Sequence, residues 1–355
     1  MMIVTSYLHN RGRGLFMSML SIAFADSDVK KQVTGTGEIL VDLSGTGRER
    51  PWSKRKMENR RLVEILETVR RLDESAISER RLDAVRDCAS WLLFAEQEGG
   101  GRKLSKANFC RLRLCPMCAW RRSLKLFSQV SKITDAILAD KKARFIFVTL
   151  TVRNVVGTDL RDAIERMGKG FKHLTQGSKH CAASVRFRES LLGYMKAVEV
   201  TYNSTQNDFH PHIHCIFEVK PSYFVRGGYL THADWRDMWK SAMKLDYEPQ
   251  VDVRAIKDAT ARAVAEVAKY PVKLKGLLEI ADKTQAARTL IQLKTALHSC
   301  RLVTFGGDFR EYKKRLSLDD VETGDLVHVE ADSKTLNAVA FTLFRYRADA
   351  GAYIC

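Results

Sequence analysis

The sequence predicts an α+β fold, an antiparallel sheet with helices on one face, accompanied by a small Cys-rich region and helical flanks. Three observations carry this expectation. From residue 145 onward the segments read β, α, β, β, α, β, α, an order that folds into a ferredoxin-like unit. Four of the eight cysteines crowd between residues 88 and 118. At 355 residues and 45% hydrophobic content, the chain is long enough for two or three domains with a sizeable core.

The charge narrows the partners. Lys and Arg number 59 against 42 Asp and Glu, a formal charge of +17. Such a surface suits a phosphate backbone or an anionic membrane. No apolar run reaches the roughly 18 residues of a spanning helix, which leaves nucleic acid and no membrane. Arg11 and Arg13 before "LFMSMLSIAFA", with Ala23-Phe24-Ala25, imitate a secretory signal. Met17 and Met19 inside that stretch offer the alternative of a long or misassigned start, and the chemistry of the motifs calls for a reducing, DNA-containing compartment.

Residues 1–60 are expected to be a weakly structured basic region, Gly- and Thr-rich in "TGTGEILVDLSGTGRERP". Its basic run is either a solvated linker or a DNA-contacting arm. Residues 61–126 form the helical and Cys-rich region: "LVEILETVRRLDESAISERRLDAVRDCAS" carries apolar residues at helical spacing, enough for two helices. Residues 127–275 form the third region. There "RSLKLFSQVSKITDAILAD" continues a helix, "RFIFVTLTV" is a strand, and "LRDAIERMGKGFKHLTQ" is a helix. "YMKAVEVTYN" and "IHCIFEV" pair as a hairpin, and "HADWRDMWKSAMKL", "EPQVDVRAI" and "ATARAVAEVAKY" add helix, strand and an Ala-rich helix. Residues 276–355 form an accessory region of a helix, a turn at "RLVTFGGDF", an acidic stretch and a final helix.

Three constellations carry chemistry. In "HPHIH" (210–214), strand alternation puts His212 and His214 on one face, about 7 Å apart, with His210 beside them. A surface histidine cluster is the plain alternative. Two imidazoles rarely suffice for a catalytic ion, so a third ligand is expected from a neighbouring strand. Glu199 is the first choice, as an acid within an apolar run, and Glu218 the second. Two imidazoles, a carboxylate and open positions suit Mg²⁺ or Mn²⁺ acting on a phosphodiester.

In "EVAKYPVK" (266–273), Glu266 and Tyr270 are four apart and share a helix face, and Pro271 ends the helix there. Tyrosine can attack phosphorus, with Lys273 or the metal steadying the developing charge. Core packing is the ordinary role of such a tyrosine. Cys110, Cys115 and Cys118, with Cys88 upstream, supply four thiols for a structural Zn²⁺. A redox Cys-Pro-Met-Cys pair competes, without the expected βαβ context. Arg111, Arg113, Arg121 and Arg122 around the cysteines are expected to form a DNA-facing rim or a solvated basic face.

Taken in order, "FVTLT" (147–151), "HPHIH" and "EVAKYPVK" resemble the three motifs of HUH endonucleases, and "NFCRLRLCPMCAWRR" narrows the resemblance to rolling-circle plasmid replication initiators with one catalytic tyrosine and a nearby glutamate. It runs from Cys88 to Lys273 and loosely through "RLVTFGGDFREYKKRL". It implies that His212 and His214 bind the divalent ion and that Tyr270 cuts the plasmid double-strand origin at a single-stranded or hairpin site. A 5′-phosphotyrosyl link and a 3′-hydroxyl for the host polymerase would result. Glu266 would activate water for the terminating cleavage, a host helicase would be recruited, and a dimer is one arrangement. The near alternatives are a relaxase, whose tyrosine tends to precede the histidines, and an HUH transposase. The distant alternative is a zinc-containing DNA-binding regulator without catalysis.

Overall fold

Helix formation begins where the sequence supplies a buried anchor. Trp52, whose indole N–H donates to Asp42 at 2.7 Å, opens a helix that keeps Leu62, Val63, Leu66 and Val69 inside. The computed structural model describes residues 33–34, 37–98, 101–176, 182–225, 227–256, 272–329 and 338–355, all within one compact unit, Val33–Cys355. In chain order the first elements are β1 (Val33–Thr34), α1 (Trp52–Leu72), α2 (Glu79–Arg86), β2 (Trp91–Gln97), β3 (Arg102–Ala107) and α3 (Pro116–Asp140). Ser78 caps α2 by accepting from the Arg81 N–H, and Pro116 starts α3 where its missing N–H costs nothing. Then come β4 (Arg144–Thr151), α4 (Leu160–Gln176), α5 (Ala182–Ser190), β5 (Leu191–Asn203), β6 (Asp208–Val219), α6 (His232–Met243) and β7 (Val251–Ile256). The remainder is β8 (Val272–Lys273), α7 (Lys275–Leu278), α8 (Lys283–Leu297), β9 (Val303–Gly307), α9 (Asp308–Arg315), β10 (Ala338–Arg347) and β11 (Ala352–Ile354).

Two sheets result. The smaller runs β1-β10-β2-β3, with β11 on β10; the larger runs β7-β4-β6-β5-β8, with β9 also pairing β5. Antiparallel pairing dominates the larger sheet, and β5–β6 is a long hairpin in register from Asn203/Asp208 to Gly193/Glu218, with a shift before Leu191/Val219.

Helices cover both faces of the larger sheet, not the one face expected. Ile146, Val148, Ile213 and Phe217 pack in one cluster with Met167 and Phe171 of α4 and Trp235 and Trp239 of α6. The opposite face, Phe145, Phe147, Met195 and Ile216, packs on Leu126, Val130, Ile133 and Ile137 of α3 and Phe309 of α9. The nearly unbroken apolar run "FIFVTL" in β4 is what a strand buried on both sides requires.

Three further expectations change. The weakly structured region ends early: residues 37–40 pair with the chain's last residues, as in Leu40 N–H to Tyr353 O at 2.9 Å, and α1 already starts at Trp52. The final helix is instead the strand pair β10–β11, and the turn at 301–309 holds strand β9. "AVAFTLFRYR" is rich in β-branched and aromatic residues, which favour a pleated, half-buried surface. The boundary expected at 126/127 falls inside α3, and the hairpin β2–β3 was not foreseen. Among the described residues, no helix is long and apolar enough to cross a membrane.

Candidate active site

The histidines lie on β6, between its two hydrogen-bonded neighbours. Register sets His212 opposite Thr151 on β4 and Glu199 on β5, and His214 opposite Thr149 and Ala197. Opposed residues share a face, so the carboxylate and both imidazoles point the same way. Glu199, 1% exposed, brings Oε2 to 3.2 Å from His214 Nε2 and 3.7 Å from His212 Nε2. One ligand atom from each of these three residues lies within 4.8 Å of the others, a spacing that a single ion can bridge.

The other ring nitrogens explain why Nε2 faces inward. His212 Nδ1 donates to the carbonyl oxygen of His210 at 3.2 Å; a carbonyl only accepts, so this contact takes up Nδ1 and leaves Nε2 as the ring nitrogen that faces Glu199. His214 Nδ1 meets Thr149 Oγ1 at 3.1 Å, and its ring stacks on Phe147 with centroids 5.7 Å apart. His210 is fixed by a relay: Asp208 accepts from the Asn154 amide at 2.9 Å, which turns the amide oxygen to His210 Nδ1 at 2.8 Å. Burial holds the His210 pKa below the ordinary imidazole value. Thr149, Asn154 and Asp208 were not singled out in the sequence, because cross-strand register brings them together.

Glu218, the second choice for a ligand, does not join the group. It sits six residues beyond His212, about 20 Å along a strand, where its Oε1 takes Lys141 Nζ at 2.7 Å and burial raises its carboxyl pKa. Glu266 and Tyr270 lie outside the described residues. Lys273 is on β8, its backbone beside Thr201 of β5, in the row that also contains His210.

The four cysteines converge. Cys88 Sγ is 3.6 Å from those of Cys115 and Cys118, and Cys110 Sγ is 3.7 Å from that of Cys118. A tetrahedron with metal–sulfur bonds of about 2.3 Å has edges of about 3.8 Å, whereas a disulfide needs about 2.05 Å. All four are buried. The Arg111 N–H donates to Cys118 Sγ at 3.3 Å, an aim that Arg111 achieves with φ at 59°, in the left-handed region. From α1, Asn59 donates to Cys115 Sγ at 3.4 Å, and Lys56 Nζ to the carbonyls of Cys88 and Arg86 at 2.7 and 3.0 Å. Burial lowers the Lys56 pKa.

The arginines divide. Arg111 is exposed. Arg121 and Arg122, only 4% and 3% exposed, cannot form a DNA-facing rim. Arg121 donates to the carbonyls of Leu326 and Val327 at 2.9 and 2.7 Å, and Arg122 to that of Glu322 at 3.0 Å. Arg113 reaches Leu297 O and the Glu322 carboxylate at 2.6 and 2.7 Å. They fasten the acidic segment 319–327 to α3 and to the loop before it.

A family profile described as "Replication protein" matches residues 101–354. The chain belongs to this replication protein (Rep) family. Its members include the rolling-circle plasmid initiators that the motifs resemble. This Rep chain is 36% identical over 307 residues to "Protein rep" of Streptococcus pneumoniae serotype 2, covering 84% of this chain and 90% of the relative. It is 36% identical over 327 residues to "Protein rep" of Bacillus amyloliquefaciens, covering 87% and 94%. A "Protein rep" of Lactiplantibacillus plantarum is also 36% identical, over 84% of this chain and 92% of its own length. No solved structure matches the chain.

Proposed function

We propose that this Rep protein starts rolling-circle replication in the bacterial cytoplasm by nicking one strand of its plasmid origin, with Tyr270 as nucleophile and a Mg²⁺ or Mn²⁺ ion held by Glu199, His212 and His214. The carrying observation is the convergence of those three side chains from adjacent strands, in a member of a replication protein family. The hairpin-borne histidines within an antiparallel sheet support an HUH endonuclease fold, with residues 127–275 as its catalytic region and residues 276–355 as an accessory part.

The chemistry divides among the residues. Tyr270 Oη attacks the scissile phosphorus and the P–O3′ bond breaks, leaving a 5′-phosphotyrosyl link and a 3′-hydroxyl for the host polymerase. Tyr270 is three residues before Lys273, a span of at most about 11 Å, and β8 carries Lys273 to the row of His210. The ion, when bound, polarises the phosphate oxygens. His210 and Thr149 keep the two imidazoles turned toward it. Lys273 steadies the charge that develops on phosphorus, and Glu266 takes a proton from water in the terminating cleavage, so one tyrosine suffices. The four thiols hold a structural Zn²⁺ that locks the start of α3, a role supported by their near-tetrahedral spacing. Arg111, exposed beside the thiols, contacts phosphate, and a host helicase opens the duplex.

The test is incubation of purified protein with a supercoiled plasmid carrying its gene and flanks, with Mg²⁺ or Mn²⁺. A denaturant-stable adduct on a nicked 5′ end should form, and Tyr270→Phe should abolish it while leaving origin binding. Glu266→Ala should nick yet release few closed circles. An adduct surviving in Tyr270→Phe would move the nucleophile elsewhere. Binding without any nick would favour a non-catalytic zinc regulator.

A further inference from the structure

An arginine and a tyrosine are stacked at the rim of the histidine row. The guanidinium carbon of Arg153 lies 3.8 Å from the ring centroid of Tyr247, and the Arg153 backbone N–H donates to the Tyr247 hydroxyl at 2.9 Å. Tyr247 belongs to the segment between α6 and β7, which is tied to the end of β4. Gln250 O accepts from both the backbone N–H and the hydroxyl of Thr151, at 3.3 and 2.9 Å, and Trp239 Nε1 donates to Thr151 O at 2.8 Å. Thr151 is the residue opposite His212, so Arg153 stands only two residues, about 7 Å if extended, past that row. The next residue, Asn154, holds His210.

The pair is built yet open. Arg153 keeps 67% of its side chain exposed, and Asp246, the acid paired with it among the described residues, is 3.9 Å away and 88% exposed, too remote and too solvated to neutralise it. A guanidinium plane stacked on an arene by one face presents the other to a second planar group, and its charge remains available to phosphate. Single-stranded nucleic acid carries both, and its bases stack on such platforms with little regard to sequence.

We propose that Arg153 and Tyr247 form a stacking platform for a nucleotide of the single strand that flanks the cleaved bond. This rests on the nicking function proposed for the histidine site and adds the element that holds the strand against it. Paired bases in a duplex are already stacked, so the platform selects single strands.

The experiment measures the full-length protein binding a short fluorescein-labelled oligothymidylate, and a duplex of equal length, with Mn²⁺ binding as a check on the site. Stacking is worth about 1–3 kcal/mol per base, roughly 5- to 150-fold. Tyr247→Ala should weaken single-strand binding by that range while leaving duplex and Mn²⁺ binding unchanged, and Arg153→Ala, which also removes a charge, should weaken single-strand binding more than duplex binding. Tyr247→Phe, which keeps the ring, should bind like wild type. Tyr247→Ala binding as tightly as wild type, equal losses on both DNAs, or Tyr247→Phe failing like Tyr247→Ala would each overturn the platform while leaving the nicking function intact. Wild-type protein that binds no single strand, and forms no adduct, would overturn both.

Discussion

Thr149 decides how His214 presents itself. Its hydroxyl occupies Nδ1 and leaves Nε2 for a ligand. Groups that orient metal-binding imidazoles are typically worth 10–100-fold in affinity. Thr149→Val should therefore weaken Mn²⁺ binding by about that factor, whereas Thr149→Ser should retain it; titration followed by electron paramagnetic resonance separates the two. Val binding as tightly as Thr would show that packing alone orients the ring. At this scale much was legible. Two histidines at strand spacing, and an acid stranded in "KAVEVTY", identify themselves because a buried charge needs a partner. Thr149 and Asn154 did not, since an ordinary threonine or asparagine acquires its role only from the strand opposite. Arg121 and Arg122 misled because a composition-level reading cannot tell a guanidinium that reaches solvent from one that serves buried carbonyls.

Two elements are held by contacts that no periodicity announces. Along α3, Arg121, Arg122 and Gln129 collect carbonyls of 319–327, and the Glu322 carboxylate in turn accepts from the backbone N–H groups of Leu302 and Val303 at 2.9 and 3.2 Å. Charged hydrogen bonds contribute about 1.5–3 kcal/mol each when intact. Arg121→Ala should lower stability by about 2–4 kcal/mol, read from the urea midpoint, with the salt dependence of DNA binding unchanged. A shallower salt dependence would return Arg121 to the DNA surface. The first turn of α9 presses on β5 at Gly193, where an added Cβ would sit 2.8 Å from the Asp308 nitrogen and 3.0 Å from that of Phe309. Gly193→Ala should cost about 1–3 kcal/mol through overpacking, again visible as a lower urea midpoint. Strands β4 to β7 of the larger sheet and the helices α4 and α6 were readable because their segments are strongly patterned, whereas α5 and β9 were not. The hairpin β2–β3 and the strand β10 were missed because their partners are remote in sequence.

For the molecule as a whole, the cysteine centre ties the N-terminal helices to α3. Cys88 lies just past α2, whereas Cys115 and Cys118 open α3, and α1 supplies Lys56 and Asn59 from outside the span matched by the family profile. Purified protein should hold about one zinc. Cys88→Ser should release it and lower the melting temperature, because binding energy at a structural site is folding energy. A metal-free wild type with an unchanged melting temperature would return the thiols to simple packing. The +17 charge should make DNA binding fall steeply with salt.

The pairing of β10 with β2 has a consequence for synthesis. Thr342 and Glu96, joined side chain to side chain across these strands, are 246 residues apart in sequence. At about 5–20 residues per second, the ribosome needs roughly 12–50 s to deliver the second after the first. During that time β2 waits with one edge unpaired, a template for the wrong neighbour. The nascent initiator thus has a vulnerable interval set by translation speed, in which a chaperone or a slow codon could govern how much of it matures.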